Sequence, residues 1–113
     1  MHIVHEEPIS NTDCIRLGGR LDLKGAGEIE LRFTSLTSTN SHNVMVDMSG
    51  VDFVASIGMR LLLSCAKAKA ARGGKMVLFG VQPMVLEALQ TAGIDTLIPM
   101  LGDESAALAD LRS

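Results

Sequence analysis

Val44-Met45-Val46-Asp47-Met48 is an apolar run of the kind that fills a buried strand, and beyond a short loop Ser56-Ile57-Gly58-Met59 opens an amphipathic pattern that reaches Arg72. A strand that gives way to a helix in this manner is the unit from which parallel sheets are built. The same junction fixes the place of Ser56. A serine at a helix N-terminus accepts a hydrogen bond from an otherwise unpaired backbone N–H, and the free amides and the helix dipole also favour a phosphoryl group there. The hydroxyl therefore reads as a cap, a phosphorylation site, or both.

On the N-terminal side, Ile3 to Glu7 and Cys14 to Leu21 read as an antiparallel pair of strands, with the turn-rich Pro8-Ile9-Ser10-Asn11-Thr12-Asp13 as the loop between them. Ala26, Ile29, Phe33 and Leu36 recur at helical spacing and predict a first helix from Gly25, ended by the polar run from Thr37 to Asn43. In the helix opened by Ser56, the expected inner stripe is Ile57, Leu61, Cys65, Ala68 and Arg72 with Leu62 beside it, and Gly73-Gly74 stops it. Lys75 to Gly80 is a further strand. Pro83 suits the first position of a third helix, where its missing N–H is not needed, and Gly93-Ile94 fits a left-handed glycine cap with its apolar partner. Leu97 to Leu101 reads as a last strand, and Asp103-Glu104 leads into a C-terminal helix whose N-terminus the acidic residues suit.

This order predicts an α/β fold, one domain over residues 1–113, with a mixed, mainly parallel sheet and helices packed mostly on one face. Leu61, Leu62, Cys65, Val77, Leu78 and Leu89 are expected in its core. A chain of 113 residues buries roughly two-thirds of its unfolded surface, and 47% hydrophobic against 20% charged residues supports that core. No apolar run is long enough to span a membrane and no secretory leader is visible, so a cytoplasmic location is expected, with no membrane insertion. The net charge of −3, and aromatics limited to three Phe, disfavour nucleic acid as a partner. Cys14 and Cys65 fall in apolar patterns and read as buried, reduced thiols.

Enzymatic motifs fail on inspection. Arg72-Gly73-Gly74-Lys75 ends like a phosphate-binding loop, but that pattern needs a glycine where Lys69 stands and a hydroxyl residue where Met76 stands. Val54-Ala55-Ser56-Ile57-Gly58 lacks the first glycine of a hydrolase nucleophile elbow. His2, His5 and His42 lie far from Ser56 in sequence, show no metal-ligand spacing and read as solvated. The Lys67, Lys69, Arg72 and Lys75 cluster reads as a solvated helix end. The expectation is a non-enzyme with no catalytic residue, metal or cofactor.

Taken together, Gly19-Arg20-Leu21-Asp22 after an early strand, the run from Val46 to Gly58, and Gly74-Lys75 at the entry to a strand resemble the STAS domain family, which includes the bacterial anti-sigma factor antagonists. The resemblance covers nearly the whole chain. It implies that Ser56 is phosphorylated by a partner anti-sigma factor, itself a serine kinase with a histidine-kinase-like ATP fold. It further implies that phosphorylation blocks binding, that the free antagonist releases a sigma factor and so regulates transcription indirectly, and that a PP2C-type phosphatase resets the switch. Asp22, Ser56, Ile57, Gly58 and Met59 would form the docking face, with Asp22 near Ser56. The chain departs from the family's common pattern beside the serine, having Ala55 in place of Asp and Ile57 in place of Ser or Thr. A scaffold or sensor module of a transport or stress-signalling assembly, without phosphorylation, is the alternative within the same family.

Overall fold

The computed structural model describes residues 1–113. β1 (His2–Ile9) pairs antiparallel with β2 (Thr12–Leu21), and β2 pairs parallel with β3 (Asn43–Val54). β4 (Met76–Phe79) and β5 (Met100–Leu101) continue the parallel run, so the five strands lie in the order β1-β2-β3-β4-β5. The crossovers are α1 (Leu23–Ser38), α2 (Ser56–Ala71) and α3 (Pro83–Thr91), and α4 (Glu104–Arg112) follows β5.

Successive strand residues face opposite sides of a sheet, and the strands here use both. Ile15, Val46 and Leu78 join Ile29 and Phe33 of α1, Leu62 of α2 and Leu89 of α3 in a core of 19 buried residues. Their neighbours Cys14, Met45 and Val77 point the other way, where Ala107 and Leu111 of α4 cover them. The helices thus pack mostly on one face, as expected. Each fully buried Leu, Ile or Phe contributes about 1.5–3 kcal/mol relative to exposure. Both cysteines are buried free thiols, and burial pushes the Cys14 thiol up to about 11.

Several boundaries differ from the sequence reading, each for a local reason. The expected Pro8–Asp13 loop is mostly strand, and the chain reverses through Ser10-Asn11 alone. Asn11 accepts the left-handed conformation (φ 64°), which asparagine tolerates, and its N–H donates to Glu7 Oε2 at 2.9 Å. Pro8 is accommodated by a register shift between Glu6 and Ile9 on the outermost strand, where a missing N–H costs no ladder bond. α1 begins at Leu23 rather than Gly25 because Asp22 is its N-cap, accepting from Gly25 N at 2.8 Å. It continues to Ser38, with Thr37 buried and donating to Phe33 O. β3 does not end at Met48 but runs through the expected loop to Val54, because Val51 and Val54 still face the core. The expected Leu97–Leu101 strand shortens to Met100–Leu101, preceded by a 3-10 turn at Ile94–Thr96. The Gly93-Ile94 cap forms as expected, with φ 77° at Gly93 and Ile94 buried.

The inner stripe of α2 is Gly58, Leu62, Cys65 and Lys69. Leu62 and Cys65 are buried as expected, but the rest of the expected stripe lies to one side: Leu61 is only partly buried, Ile57 is 36% exposed and Arg72 is exposed. The basic helix end is not uniformly solvated either. Lys69 is fully buried, and its Nζ donates to both Asn40 O and Asn40 Oδ1 at 2.9 Å. Burial is the main cause that lowers its pKa below the ordinary lysine value, with Asp13 opposing and Arg72 reinforcing the shift. No helix is long and apolar enough to cross a membrane.

Candidate functional site

β2 and β3 end side by side, with Leu21 paired to Val54, and Ala55 N donates to Leu21 O at 2.9 Å. That bond delivers the chain from β3 directly into α2. Ala55 occupies the N-cap position and has no side chain with which to cap, so Ser56 is the first helical residue rather than the cap. The capping interpretation of Ser56 is thereby corrected. Ser56 is exposed, and its hydroxyl makes no hydrogen bond within the chain. The first turn of α2 contains no acidic side chain, so the positive end of the helix dipole and its unpaired amides are left uncompensated. An exposed, unbonded hydroxyl thus stands where negative charge is favoured.

The surface around Ser56 is partly apolar. With Met59 of α2, Met84, Glu87, Ala88 and Thr91 of α3, and Ala92 just beyond it, Ser56 lines an open cleft of about 500 Å³. Met84 is 81% exposed; Phe53, 38% exposed, lines an adjoining depression with Met84 and Ala88, and Ile57, 36% exposed, lines the groove between α1 and α2 with Ala26 and Leu61. The Arg20 guanidinium lies 4.1 Å from the centre of the Phe53 ring, which holds that ring at the surface. Phe53 and Met84 were not singled out in the sequence. Their signal is that each falls out of phase with its buried neighbours, Phe53 beside Val54 and Met84 beside Val85.

Gly58 is buried against the end of β2, beneath the exposed surface rather than on the docking face that the resemblance implies. A Cβ at this position would lie 2.7 Å from Leu21 O, so the absence of a side chain is what lets α2 sit against the end of β2. Asp22 starts α1 at the same edge of the sheet but is engaged locally: its Oδ1 caps Gly25 N, and Arg20 Nε donates to Oδ2 at 3.4 Å. The Gly25 bond is the main cause that holds its carboxyl below the ordinary range, with Arg20 assisting. Asp22 opens on a depression with Met1, Arg20, Lys24 and Glu28, separate from the cleft at Ser56.

A model of the STAS domain matches residues 7–107. The BtrV protein of Bordetella bronchiseptica, named as a candidate anti-sigma factor antagonist, is 25% identical over 97 residues, covering 86% of this chain and 84% of that protein. The crystal structure of an anti-sigma factor antagonist from Mycobacterium paratuberculosis superposes with a TM-score of 0.88 at 18% identity, covering 99% of this chain and 94% of that one. SpoIIAA, a Bacillus cell-fate determinant with structures of its unphosphorylated and phosphorylated forms, superposes in the unphosphorylated form with a TM-score of 0.80 at 21% identity, over 98% and 96% of the two chains. At these identities the superpositions speak for the fold, and the family match speaks for descent. The chain belongs to the STAS domain family.

Proposed function

We propose that the chain is an anti-sigma factor antagonist that acts by binding and not by catalysis. Its partner is an anti-sigma factor serine kinase with a histidine-kinase-like ATP fold, and the setting is the bacterial cytoplasm. Phosphorylation of Ser56 switches binding off, and a PP2C-type phosphatase restores it. The observation that carries this reading is the exposed Ser56 hydroxyl, free of hydrogen bonds and sharing a cleft with the apolar side chains of Met59, Met84 and Ala88.

Apolar surface of this kind supplies docking energy only when it is desolvated. A phosphate brings about −1.5 to −2 charges at pH 7, which would have to be buried against the partner. Glu87 in the same cleft adds repulsion to that charge. The switch therefore needs no refolding. Asp22 contributes as the residue that fixes the start of α1 beside the docking face, and Gly58 as the residue that seats α2.

The test is incubation of the purified chain with its copurified partner and ATP. A mass increase of one phosphate, mapped to Ser56 and absent in Ser56→Ala, supports the reading. Stable complex formation without any phosphate on Ser56 contradicts the switch.

A further inference from the structure

A second group of chemically competent side chains lies at the other end of β3 from Ser56, where β1 ends and β2 and β3 begin. Asp13 is 3% exposed, and an imidazole meets each of its carboxylate oxygens: His5 Nε2 is 2.7 Å from Oδ1 and His42 Nδ1 is 3.1 Å from Oδ2. Neither histidine is the free surface residue that the sequence suggested. Glu7 brings a second carboxylate, and the ligand-capable atoms of Glu7, Asp13 and His42 all lie within 4.8 Å of one another. The His5 and His42 side chains are 30% and 29% exposed, so the cluster is reachable from solvent.

We propose that Glu7, Asp13 and His42 bind a divalent transition-metal ion of the zinc class, with His5 orienting the Asp13 carboxylate. Zinc takes imidazole nitrogen and carboxylate oxygen at about 2.0–2.2 Å in a tetrahedral arrangement, which sets neighbouring ligand atoms about 3.3 Å apart. The 3.1 Å between His42 Nδ1 and Asp13 Oδ2 already approaches that spacing. Glu7 uses Oε2 to accept from Asn11 N in the hairpin turn, which leaves Oε1 for the ion. Two carboxylates also match the charge of a divalent cation. Ligating carboxylates are characteristically held by a further hydrogen bond, the role that His5 fills on Oδ1.

The loop that carries His42 is itself fixed. Asn40 Oδ1 accepts from His42 N at 3.0 Å and from the buried Lys69 Nζ at 2.9 Å. The Lys69 ammonium, the one nearby cation buried against this loop, is occupied by Asn40 and forms no ion pair with Asp13. The ligands come from β1, the start of β2 and the segment before β3, so an ion would tie three separate parts of the chain together.

Tag-free, chelator-treated protein titrated with zinc chloride by calorimetry should take up one equivalent, and cobalt(II) should give the visible absorption of a tetrahedral nitrogen–oxygen site. His42→Ala and Glu7→Gln should each weaken uptake at least tenfold or so, the size of loss seen even for residues that only support ligands. His2→Ala, altered at the other end of β1, should bind as wild type does. Circular dichroism establishes the fold of each variant, and the partly exposed His42 and the exposed Glu7 answer the question even if Asp13→Asn does not fold. No saturable uptake, or equal uptake by wild type and the folded His42→Ala and Glu7→Gln variants, would overturn the proposal and leave the cluster as a hydrogen-bonded brace.

Discussion

Replacing Gly58 by alanine tests how closely α2 is seated on the sheet. The added Cβ would stand 2.7 Å from Leu21 O and 2.5 Å from Leu21 Cγ, whereas favourable carbon contacts need about 3.5–4.0 Å. The leucine side chain can rotate away, but its carbonyl is held in place by the hydrogen bond from Ala55 N. Helix propensity pulls the other way, since Gly to Ala in a helix interior gains about 1 kcal/mol. Overpacking costs about 1–3 kcal/mol, and a rigid carbonyl puts this site toward the upper end. The net expectation is a loss of about 1–2 kcal/mol, read as a lower midpoint at unchanged slope in urea unfolding. Gly58→Leu should lose more. Any fall in partner binding by these variants would then reflect a displaced Ser56 rather than a lost contact. An alanine variant as stable as wild type would refute the close seating of α2 against β2.

Three further outcomes follow from the packing and charges. Leu62→Ala should cost about 2–5 kcal/mol because Leu62 is fully buried, while the partly buried Leu61→Ala should stay below about 1.5 kcal/mol; equal losses by denaturant unfolding would contradict the observed helix face. Lys69→Ala should cost about 1–3 kcal/mol by removing the donor to Asn40 O and one of the two donors to Asn40 Oδ1, whereas exposed Arg72→Ala should change stability by less than about 0.5 kcal/mol, both measured by thermal melts. At Asp47, burial raises the pKa, but hydrogen bonds from Ser49 and Arg16 together outweigh it and hold the carboxyl below its ordinary value. Its stabilisation is therefore present above the unfolded carboxyl pKa of about 3.9 and is lost as pH falls through the lower folded value. Melting temperatures below about pH 4 should fall less steeply in Asp47→Asn than in wild type; parallel curves would refute this assignment.

Features carried by local periodicity and turn chemistry were legible in the sequence. The strand before Ser56, the helix after it, Pro83 at a helix start and the Gly93-Ile94 cap all depend on neighbours within a turn or two. Ser49-Gly50 looks like a loop in the sequence, and only pairing with β2 shows that β3 continues to Val54. Part of the expected α2 stripe lies to one side because Leu61, Leu62 and Leu63 are alike in polarity, while the true face includes Gly58 and Lys69, which hydrophobicity alone would place outside. Lys69 became an inner residue through Asn40, and His5 and His42 met at Asp13 across 8 and 29 residues of sequence; such pairings are properties of the folded topology. Ser56 was located correctly, but its status as a free hydroxyl rather than a cap depended on a one-residue boundary at Ala55.

That boundary sharpens the test of the central claim, because a cap and a switch rank the same two variants differently. With Ala55 as the N-cap, Ser56→Ala should melt within about 0.5 kcal/mol of wild type instead of losing the 0.5–2 kcal/mol of a capping residue. The most direct measurement is isothermal titration of the cognate anti-sigma factor kinase with folded Ser56→Ala and Ser56→Asp, beside wild type before and after incubation with ATP. The account predicts that Ser56→Ala binds as unmodified wild type does and takes no phosphate, while Ser56→Asp and the phosphorylated wild type bind poorly. Tight binding by Ser56→Asp, with no phosphate on wild-type Ser56, would contradict it and leave a constitutive binding module.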